Sequence, residues 1–555
     1  MKKYLIKITI PSVQELILQS RKFIDMFISS SLIPKVLSET FKNYLNNEKV
    51  EFLIPSRKVI ENNQENITNV SYIIYTAKDE EEVKEFCLSM EDKFFKILEK
   101  SLYDSLVKKI DIKGYEKLAY YQIRNSLRFL WGGVEIDKSL EDAKIKVDKL
   151  LAYLKGSFEP DISKIEGINL FDKENNIYYQ EDFLKFLEDE ENLNFNYTVG
   201  GLLCRVCGKR VILGAKSSNT KLDVKGEEFW KNVSQKHPNY ASEAERMCGF
   251  CISKRVYAYE TGVKIQSVVD FAIKEYPKEV EEELRKTIKN TKDIQDIYEE
   301  NHKNLDKNTK QQLDFFFKLY GKPSPYYALL MADGDSMGEK VEKTFKENKV
   351  AEFTEKLSIF AEEFKSIIEK NRGRTIYTGG DDVLAIMPKS KGLNSFKEIF
   401  DKFKPVSTMS AGLIISHYKI PLRYVLKELR EAESKAKSKG KAGIYIKYIK
   451  HSYSSAETFL KREDIEDFER LIYIMSEKDF PNTFITQLQQ LLQPYLETVD
   501  NVDIVKALIT YLIEKKNFNK KEEFLEILLS ENLKDLNNLI NKLKVAKFLA
   551  TRGES

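Results

Sequence analysis

Long apolar runs are absent from these 555 residues, and no stretch approaches the ~20 apolar residues that span a bilayer. The opening M-K-K-Y-L-I-K-I-T-I is broken by Lys7 and then alternates, so it reads as a first strand rather than a secretory segment. The expectation is a cytoplasmic protein with no membrane partner. Low-complexity tracts and strong short-period repeats are missing as well. Net charge is small, formally +3, so it makes no global case for or against nucleic acid, and any such binding must come from local patches. Cysteine is scarce. Four of the five sit in two C-x-x-C pairs, a spacing that in a reducing compartment favours metal over disulfide. Histidine is scarcer still: His237, His302, His417 and His451, none followed by aspartate.

What is present is globular. Charged residues make up 32% and apolar ones 42%, enough for packed cores, and the length suits three or four domains of about 150 residues. Residues 3–10 read as a strand and Val13 to Phe41 as helix, with Pro34 expected to break or kink it. A strand at Val70–Tyr75 and a helix from Glu80 to Lys108 predict an α/β unit with helices on one side. Residues 115–190 are charged and mostly helical, with a loop near Gly156–Asp161, and 265–320 form long charged helices. After the boundary Gly321-Lys322-Pro323-Ser324-Pro325 comes a clean alternation. It runs strand Tyr326–Ala332, helix Val350–Lys370, strands Arg374–Thr378 and Val383–Met387, helix Leu393–Phe403, strand Met409–Ser416, helix Pro421–Ser438 and strand Gly443–Tyr448. That is the β-α-β-β-α-β split unit of palm domains, with one helix and strand added. Residues 455–555 carry helical Leu/Ile periodicity.

Residues 374–388, R-T-I-Y-T-G-G-D-D-V-L-A-I-M-P, carry the chemistry. Gly379-Gly380 between apolar runs predicts a hairpin, with positive φ at both glycines. Asp381 and Asp382 at its tip repel each other unless a cation sits between them. The preceding strand ends M-A-D-G-D-S-M-G, with Asp333 and Asp335. In a β-α-β-β unit that strand end and the hairpin tip share one edge, so Asp333, Asp381 and Asp382 converge. Carboxylates so gathered suit Mg²⁺. Two ions about 4 Å apart would activate an attacking hydroxyl and stabilise a leaving phosphate. Gly334 is expected to admit a ligand close to the backbone, and the amides of Ser336 and Met337 to face phosphate. Lys435, Lys437, Lys439 and Lys441 in E-S-K-A-K-S-K-G-K-A-G end the late helix and reach toward a triphosphate tail. A lone G-G-D-D is usually a solvated turn and a lone lysine cluster a solvated helix end. In this order within one unit they define a nucleotide–metal site.

C-R-V-C and C-G-F-C present Cys204, Cys207, Cys248 and Cys251, four thiolates for one tetrahedral Zn²⁺ with no open position, hence a structural role. The competing readings are a redox pair or unligated thiols. The spacer of 40 residues exceeds the usual ~15–20, and an inserted loop, A-K-S-S-N-T-K-L-D-V-K-G, accounts for it. Cys87, in an amphipathic helix, is expected simply to be buried.

Strand–D-x-D, helix, then G-G-D-D resembles the palm of diguanylate cyclases and their G-G-[DE]-E-F motif, with Asp382 at the fourth position and Val383 replacing phenylalanine. A closer resemblance is to the large cyclase/polymerase-like subunit of type III CRISPR effector complexes, Cmr type. It rests on Y-Y-A-L-L-M-A-D-G-D-S-M-G (326–338), the G-G-D-D run, T-M-S-A-G-L-I-I-S-H-Y-K-I-P-L (408–422), I-P-S-V-Q-E-L-I-L-Q-S-R-K (10–22) and the cysteine pairs between two palms. The resemblance implies an α+β chain of four parts: a first, degenerate palm with helical extension (1–195), a zinc-binding and helical module (196–322), a catalytic palm (323–452) and a C-terminal helical domain (453–555). It implies an antiviral, target-RNA-activated nucleotidyltransferase joining ATP into cyclic oligoadenylate, with guide RNA and other Cmr-like subunits as partners. Asp333 and Asp382 would be the main ligands of Mg²⁺ or Mn²⁺, Asp381 would assist, and Gly334, Asp335, Ser336, Met337, Gly379 and Gly380 would line the nucleotide. Lys437 and Lys441 would hold the triphosphate, by similarity of A-K-S-K-G-K to A-K-x-x-G-R. Many family members carry an HD nuclease domain. With no His-Asp pair here, the expectation is no DNA cleavage, and His417 reads as structural. Some relatives without that domain use S-adenosylmethionine as AMP acceptor, which the site logic does not distinguish. The rival readings are a non-catalytic scaffold, a stand-alone cyclic-dinucleotide cyclase and, more remotely, a processive polymerase.

Overall fold

In a computed structural model of the chain, the described residues are 1–11, 13–62, 67–157, 203–214, 216–217, 222–223, 226–263, 266–288, 294–298, 305–497, 499 and 501–551. They gather into two compact units, Met1–Ile265 with Gly338–Ile359, and Gln266–Met337 with Phe360–Ser555. The cysteine region thus falls in the first unit and the helices between Val268 and Tyr320 in the second. His302, most of the expected inserted loop and residues 158–202 lie outside the described residues.

The first unit is built on β1 (Lys2–Thr9), β2 (Val50–Ile54), β3 (Val70–Ala77) and β4 (Leu130–Glu135), antiparallel throughout in the order β2-β3-β1-β4. That is a ferredoxin-like sheet. β1 alternates Tyr4, Ile6 and Ile8 against Leu5 and Lys7. The first set joins Val36, Phe41, Met90 and Phe94 in the main core. Leu5 joins Leu53, Tyr72, Ile74, Ala143, Val147, Phe345 and Val350 in a second one. Helices therefore cover both faces, not one as expected, because β1 and β3 are apolar on both. β2 and β4 are additions to the expectation. β2 is short, and β4 carries Gly132-Gly133, ordinarily a turn signal, in mid-strand opposite Lys7 and Ile6.

The expected Val13–Phe41 helix is two, Val13–Leu18 and Phe23–Lys42. The break falls at Gln19–Lys22 rather than Pro34, because the Asp25 carboxylate accepts from the amides of Arg21 and Lys22 and starts the second helix. Pro34 stays inside that helix. Its cost of about 3 kcal/mol is outweighed by buried Ile33, Val36 and Leu37, worth roughly 1.5–3 kcal/mol each. Asp25 also meets buried Arg255 of the helix Gly249–Glu260 through two bonds of 2.6 and 2.9 Å. Burial opposes the charge on Asp25, yet Arg255 holds its carboxyl below the usual range.

The second unit is a six-stranded sheet of β7 (Tyr326–Gly334), β8 (Arg374–Thr378), β9 (Asp382–Pro388), β10 (Met409–His417), β11 (Gly443–Ile449) and β12 (Ser455–Lys461), ordered β12-β11-β10-β7-β9-β8. The first unit also holds the small pair β5 (Lys216–Ser217) and β6 (Leu222–Asp223). Strands β7 to β10 repeat the ferredoxin-like order, and β11 adds parallel to β10. On β10, Leu413 lies against Gly392 of the helix Gly392–Phe403, while the neighbouring Gly412 lies against Leu429 and Ala432 of the helix Leu422–Ser438. These helices thus cover opposite faces.

Two elements differ from the expectation. A helix, Met337–Lys346, follows β7 directly. Residues 455–461 form edge strand β12 instead of opening the helical region, with Ala456, Thr458 and Leu460 turned inward at a period of two. The regular elements described after it are all helices. The last helix, Leu536–Ala550, returns to the sheet, where Phe548 stacks on Tyr448 at 4.2 Å and meets Tyr326 edge-on at 4.8 Å.

Candidate functional site

The apolar run Y-Y-A-L-L-M-A fixes β7 at the sheet's centre and leaves Asp333 and Gly334 at its end. Asp382 of β9 stands directly opposite Asp333. Opposed residues of an antiparallel pair share a face, and like charges there destabilise the pair. The face is that of the helix Leu422–Ser438, since Asp333 opposes Ser410 and, two residues back, Met331 opposes Gly412. The Gly334 amide donates to the Asp381 carbonyl at 2.9 Å, tying the hairpin tip to the end of β7.

The hairpin closes by the Gly379 amide donating to the Asp382 carbonyl at 3.0 Å, with Gly380 and Asp381 between them. Positive φ, expected at both glycines, is found only at Gly380 (+103°), the sign pattern of a type II′ turn. Gly379 is required for a different reason. A Cβ there would lie 2.0 Å from Asp382 Oδ1, so the carboxylate folds against bare backbone. Burial first, then Asp333, pushes Asp381 up to about 6. Burial, then Asp381 and Asp333, pushes Asp382 up to about 8.

The lysines divide. The Lys437 ammonium bonds the Asp333 carboxylate, and Glu433 at 2.6 Å. Burial opposes its charge, but these two carboxylates keep it protonated well above the usual lysine range. Lys441 donates to the Ser336 hydroxyl at 3.2 Å. Lys435 instead pairs with Glu457 at 2.8 Å, and Lys435 and Lys439 lie over the Tyr445 ring. Glu433 is a site residue that the sequence reading passes over, although its i,i+4 spacing to Lys437 is a usable signal.

Three expected residues have other surroundings. The Asp335 carboxylate is 4% exposed and accepts from the hydroxyls of Thr408 and Ser410, each at 2.7 Å, and the Ala442 amide at 3.1 Å. Met337 is buried at the start of its helix, while Ser336 is exposed with φ +56°. A Cβ at Gly334 would meet Met337, Phe403 and Asp381 at 2.8 to 3.2 Å, so this glycine admits protein neighbours. His417 opposes Tyr326, at the other end of β7 from Asp333. It is buried, accepts from the Lys419 amide at Nδ1, and is pushed down to about 4 by burial.

The acidic trio supplies hard oxygen donors of the kind Mg²⁺ takes, and the raised proton affinity of Asp381 and Asp382 is that of carboxylates buried and crowded together. The cysteines are gathered more tightly. The Sγ atoms of Cys204, Cys207, Cys248 and Cys251 all lie within 4.8 Å of one another, and all four residues are buried. Cys207 and Cys248 are 3.9 Å apart, against roughly 3.8 Å for sulfurs on a tetrahedral zinc with ~2.3 Å bonds. The first pair sits on a turn closed by the Gly208 amide on the Cys204 carbonyl, and the second opens the helix Gly249–Glu260. The set fits structural zinc. Cys87 is buried in the main core, its thiol pushed up to about 12 by burial.

A split β-α-β-β-α-β sheet with carboxylates on its first strand and hairpin tip defines the palm class. Residues 326–445 match the family model of the Cas10/Cmr2 second palm domain. The chain is 26% identical over 567 aligned positions to the CRISPR system Cmr subunit Cmr2 of Pyrococcus furiosus, which covers 81% of this chain and 62% of that protein. It therefore spans a little over three-fifths of this relative's length. By structure, 99% of the chain matches 82% of a chain of the type III-B Cmr-beta complex in its apo state, with TM-score 0.63 and 15% identity. The same share matches 83% of a chain of Cmr-beta bound to cognate target RNA, with TM-score 0.64 and 14% identity. At these identities the structural likeness establishes the fold.

Proposed function

We propose that this chain is the RNA-activated nucleotidyltransferase subunit of a type III CRISPR ribonucleoprotein. In this reading it joins ATP to a second acceptor, either ATP to give oligoadenylate or S-adenosylmethionine. The observation that carries the reading is the pairing of Asp333 with Asp382 across β7 and β9, with Asp381 beside them and Lys437 and Lys441 turned to the same edge. Similarity to the Cmr2 protein, and the fold shared with a chain of a complex bound to target RNA, support guide RNA, target RNA and Cmr-like subunits as partners.

The carboxylates would hold two Mg²⁺ or Mn²⁺ ions, which when bound lower the pKa of an attacking 3′-hydroxyl and neutralise the leaving pyrophosphate. Asp333 and Asp382, fixed on neighbouring strands of one sheet, set the geometry of that pair to the precision of the sheet. Lys437 neutralises a triphosphate oxygen from the helix side, oriented by Glu433. Lys441 meets the same tail from the turn. Catalysis then consists of positioning and charge stabilisation. Zinc at the four cysteines remains structural.

The test assembles the chain with its guide-bearing complex, target RNA, Mg²⁺ and ATP, with and without S-adenosylmethionine, and reads products by mass spectrometry. Oligoadenylate or an AMP conjugate is expected, absent from Asp381→Ala/Asp382→Ala. No nucleotide product in either condition would leave the chain a scaffold.

A further inference from the structure

The residue between the metal strand and its following helix is used in a way that the motif does not predict. Asp335 is buried, and both its oxygens are engaged. Oδ1 accepts from Ser410, and Oδ2 accepts from Thr408 and from the Ala442 amide. Its backbone is fastened as well. The Asp335 amide donates to the Thr408 carbonyl at 2.8 Å, and the Ser407 hydroxyl donates to the Asp335 carbonyl at 2.6 Å. The segment it grips from the other side is conformationally unusual. Gly440, Lys441 and Ala442 have φ of +107°, +61° and +50°, and the last two carry a Cβ in the left-handed region. Such a run persists only when its surroundings over-determine it. Here the Lys441 amide is held by the Ala436 carbonyl at 3.2 Å and the Ala442 amide by Asp335. Lys441, between these two anchors, is thereby aimed at Ser336, itself in the left-handed region at +56°.

We propose that Asp335 is a positioning residue. Its buried carboxylate latches the turn 440–442 onto the end of β7 and so sets Lys441 on the polyphosphate side of the site, without itself touching nucleotide or metal. This inference rests on the proposed function, in which a nucleoside triphosphate occupies the site. The bond from Ala442 links the turn that carries the cation to the strand that carries Asp333, two residues away. Asp335 therefore transmits to the β- and γ-phosphates and not to the nucleoside.

The test uses the full chain and four variants: Asp335→Ala, Asp335→Asn, Lys441→Ala and Asp335→Ala/Lys441→Ala. Calorimetry reads binding of a non-hydrolysable ATP analogue with Mg²⁺, and of AMP. Electron paramagnetic resonance reads Mn²⁺ alone. The expected result is about tenfold weaker analogue binding for Asp335→Ala and for Lys441→Ala, with the double variant no weaker than either one. AMP and Mn²⁺ affinities stay within about threefold of wild type. Asp335→Asn recovers most of the loss, because the amide oxygen still accepts from Ala442 and the amide nitrogen donates to the Ser410 hydroxyl. Additive losses, or equal losses for analogue, AMP and Mn²⁺, overturn the latch. So does undiminished analogue binding in the alanine variant. If Asp335→Ala does not fold, the asparagine and lysine variants decide: an Asp335→Asn protein that loses analogue binding as fully as Lys441→Ala overturns it. Absence of analogue binding by wild type in the assembled complex would instead sink the nucleotidyltransferase reading.

Discussion

Asp381 and Asp382 hold their protons into the range of about 6 and about 8 because burial, then Asp333 for the first and Asp381 with Asp333 for the second, disfavour their charges. Folded, both bind protons more tightly than they do unfolded. Without a divalent cation the chain therefore loses stability as pH rises from the ordinary carboxylate range through about 8. A divalent metal bound there, as proposed, would displace those protons, so its affinity would rise over the same interval, by about tenfold per pH unit where one proton leaves. Scanning calorimetry in zinc-replete, Mg²⁺-free buffer should show a falling midpoint between about pH 6 and 8.5. Added Mg²⁺ should restore more at the upper end. Asp382→Asn should flatten the slope and raise the metal-free midpoint by about 2–4 °C. A pH-independent midpoint would contradict the crowding. Residue identity at these positions was legible in the sequence, because G-G-D-D and D-G-D are local words. The roles of Asp335 and Glu433 were not, since they depend on which hydroxyls, amides and lysines the fold brings near.

At the scale of elements, the second palm's strands were legible almost to their ends, because each apolar run is long, regular and bounded by Gly, Pro or charge. β12 was not. Its period of two matters only beside β11, and S-A-E-T-F-L-K is too short and polar to declare itself alone. The same holds for the last helix, whose sequence shows an amphipathic segment but not its target. Phe548 supplies that answer by stacking on Tyr448 and meeting Tyr326 edge-on, while Lys389 donates to the carbonyls of Phe548 and Thr551. Phe548→Ala should cost about 3–5 kcal/mol, read by urea unfolding, with Phe548→Leu recovering much of it. A loss under about 1 kcal/mol would mean that the helix is held elsewhere.

At the scale of the whole molecule, each unit has its own core, and the cysteine cluster belongs to the first. Chelation of zinc, or Cys248→Ser, should lower the unfolding midpoint of that unit by about 10 °C or more and leave the second unit's midpoint in place. Hydrogen exchange assigns the transitions, and an equal fall in both would contradict separate cores. The sequence by itself determined which donor groups are present and their order along the chain: two carboxylate motifs, a lysine-rich helix end, and four thiols in two pairs. It could do so because ligand type and short-range spacing are local properties. Only the tertiary structure decided which lysine meets Asp333, that Asp335 turns away into the protein, and that residues 338–359 pack within the first unit although they follow the second unit's central strand. Those outcomes depend on strand register and on burial against residues distant in sequence, which no local pattern encodes.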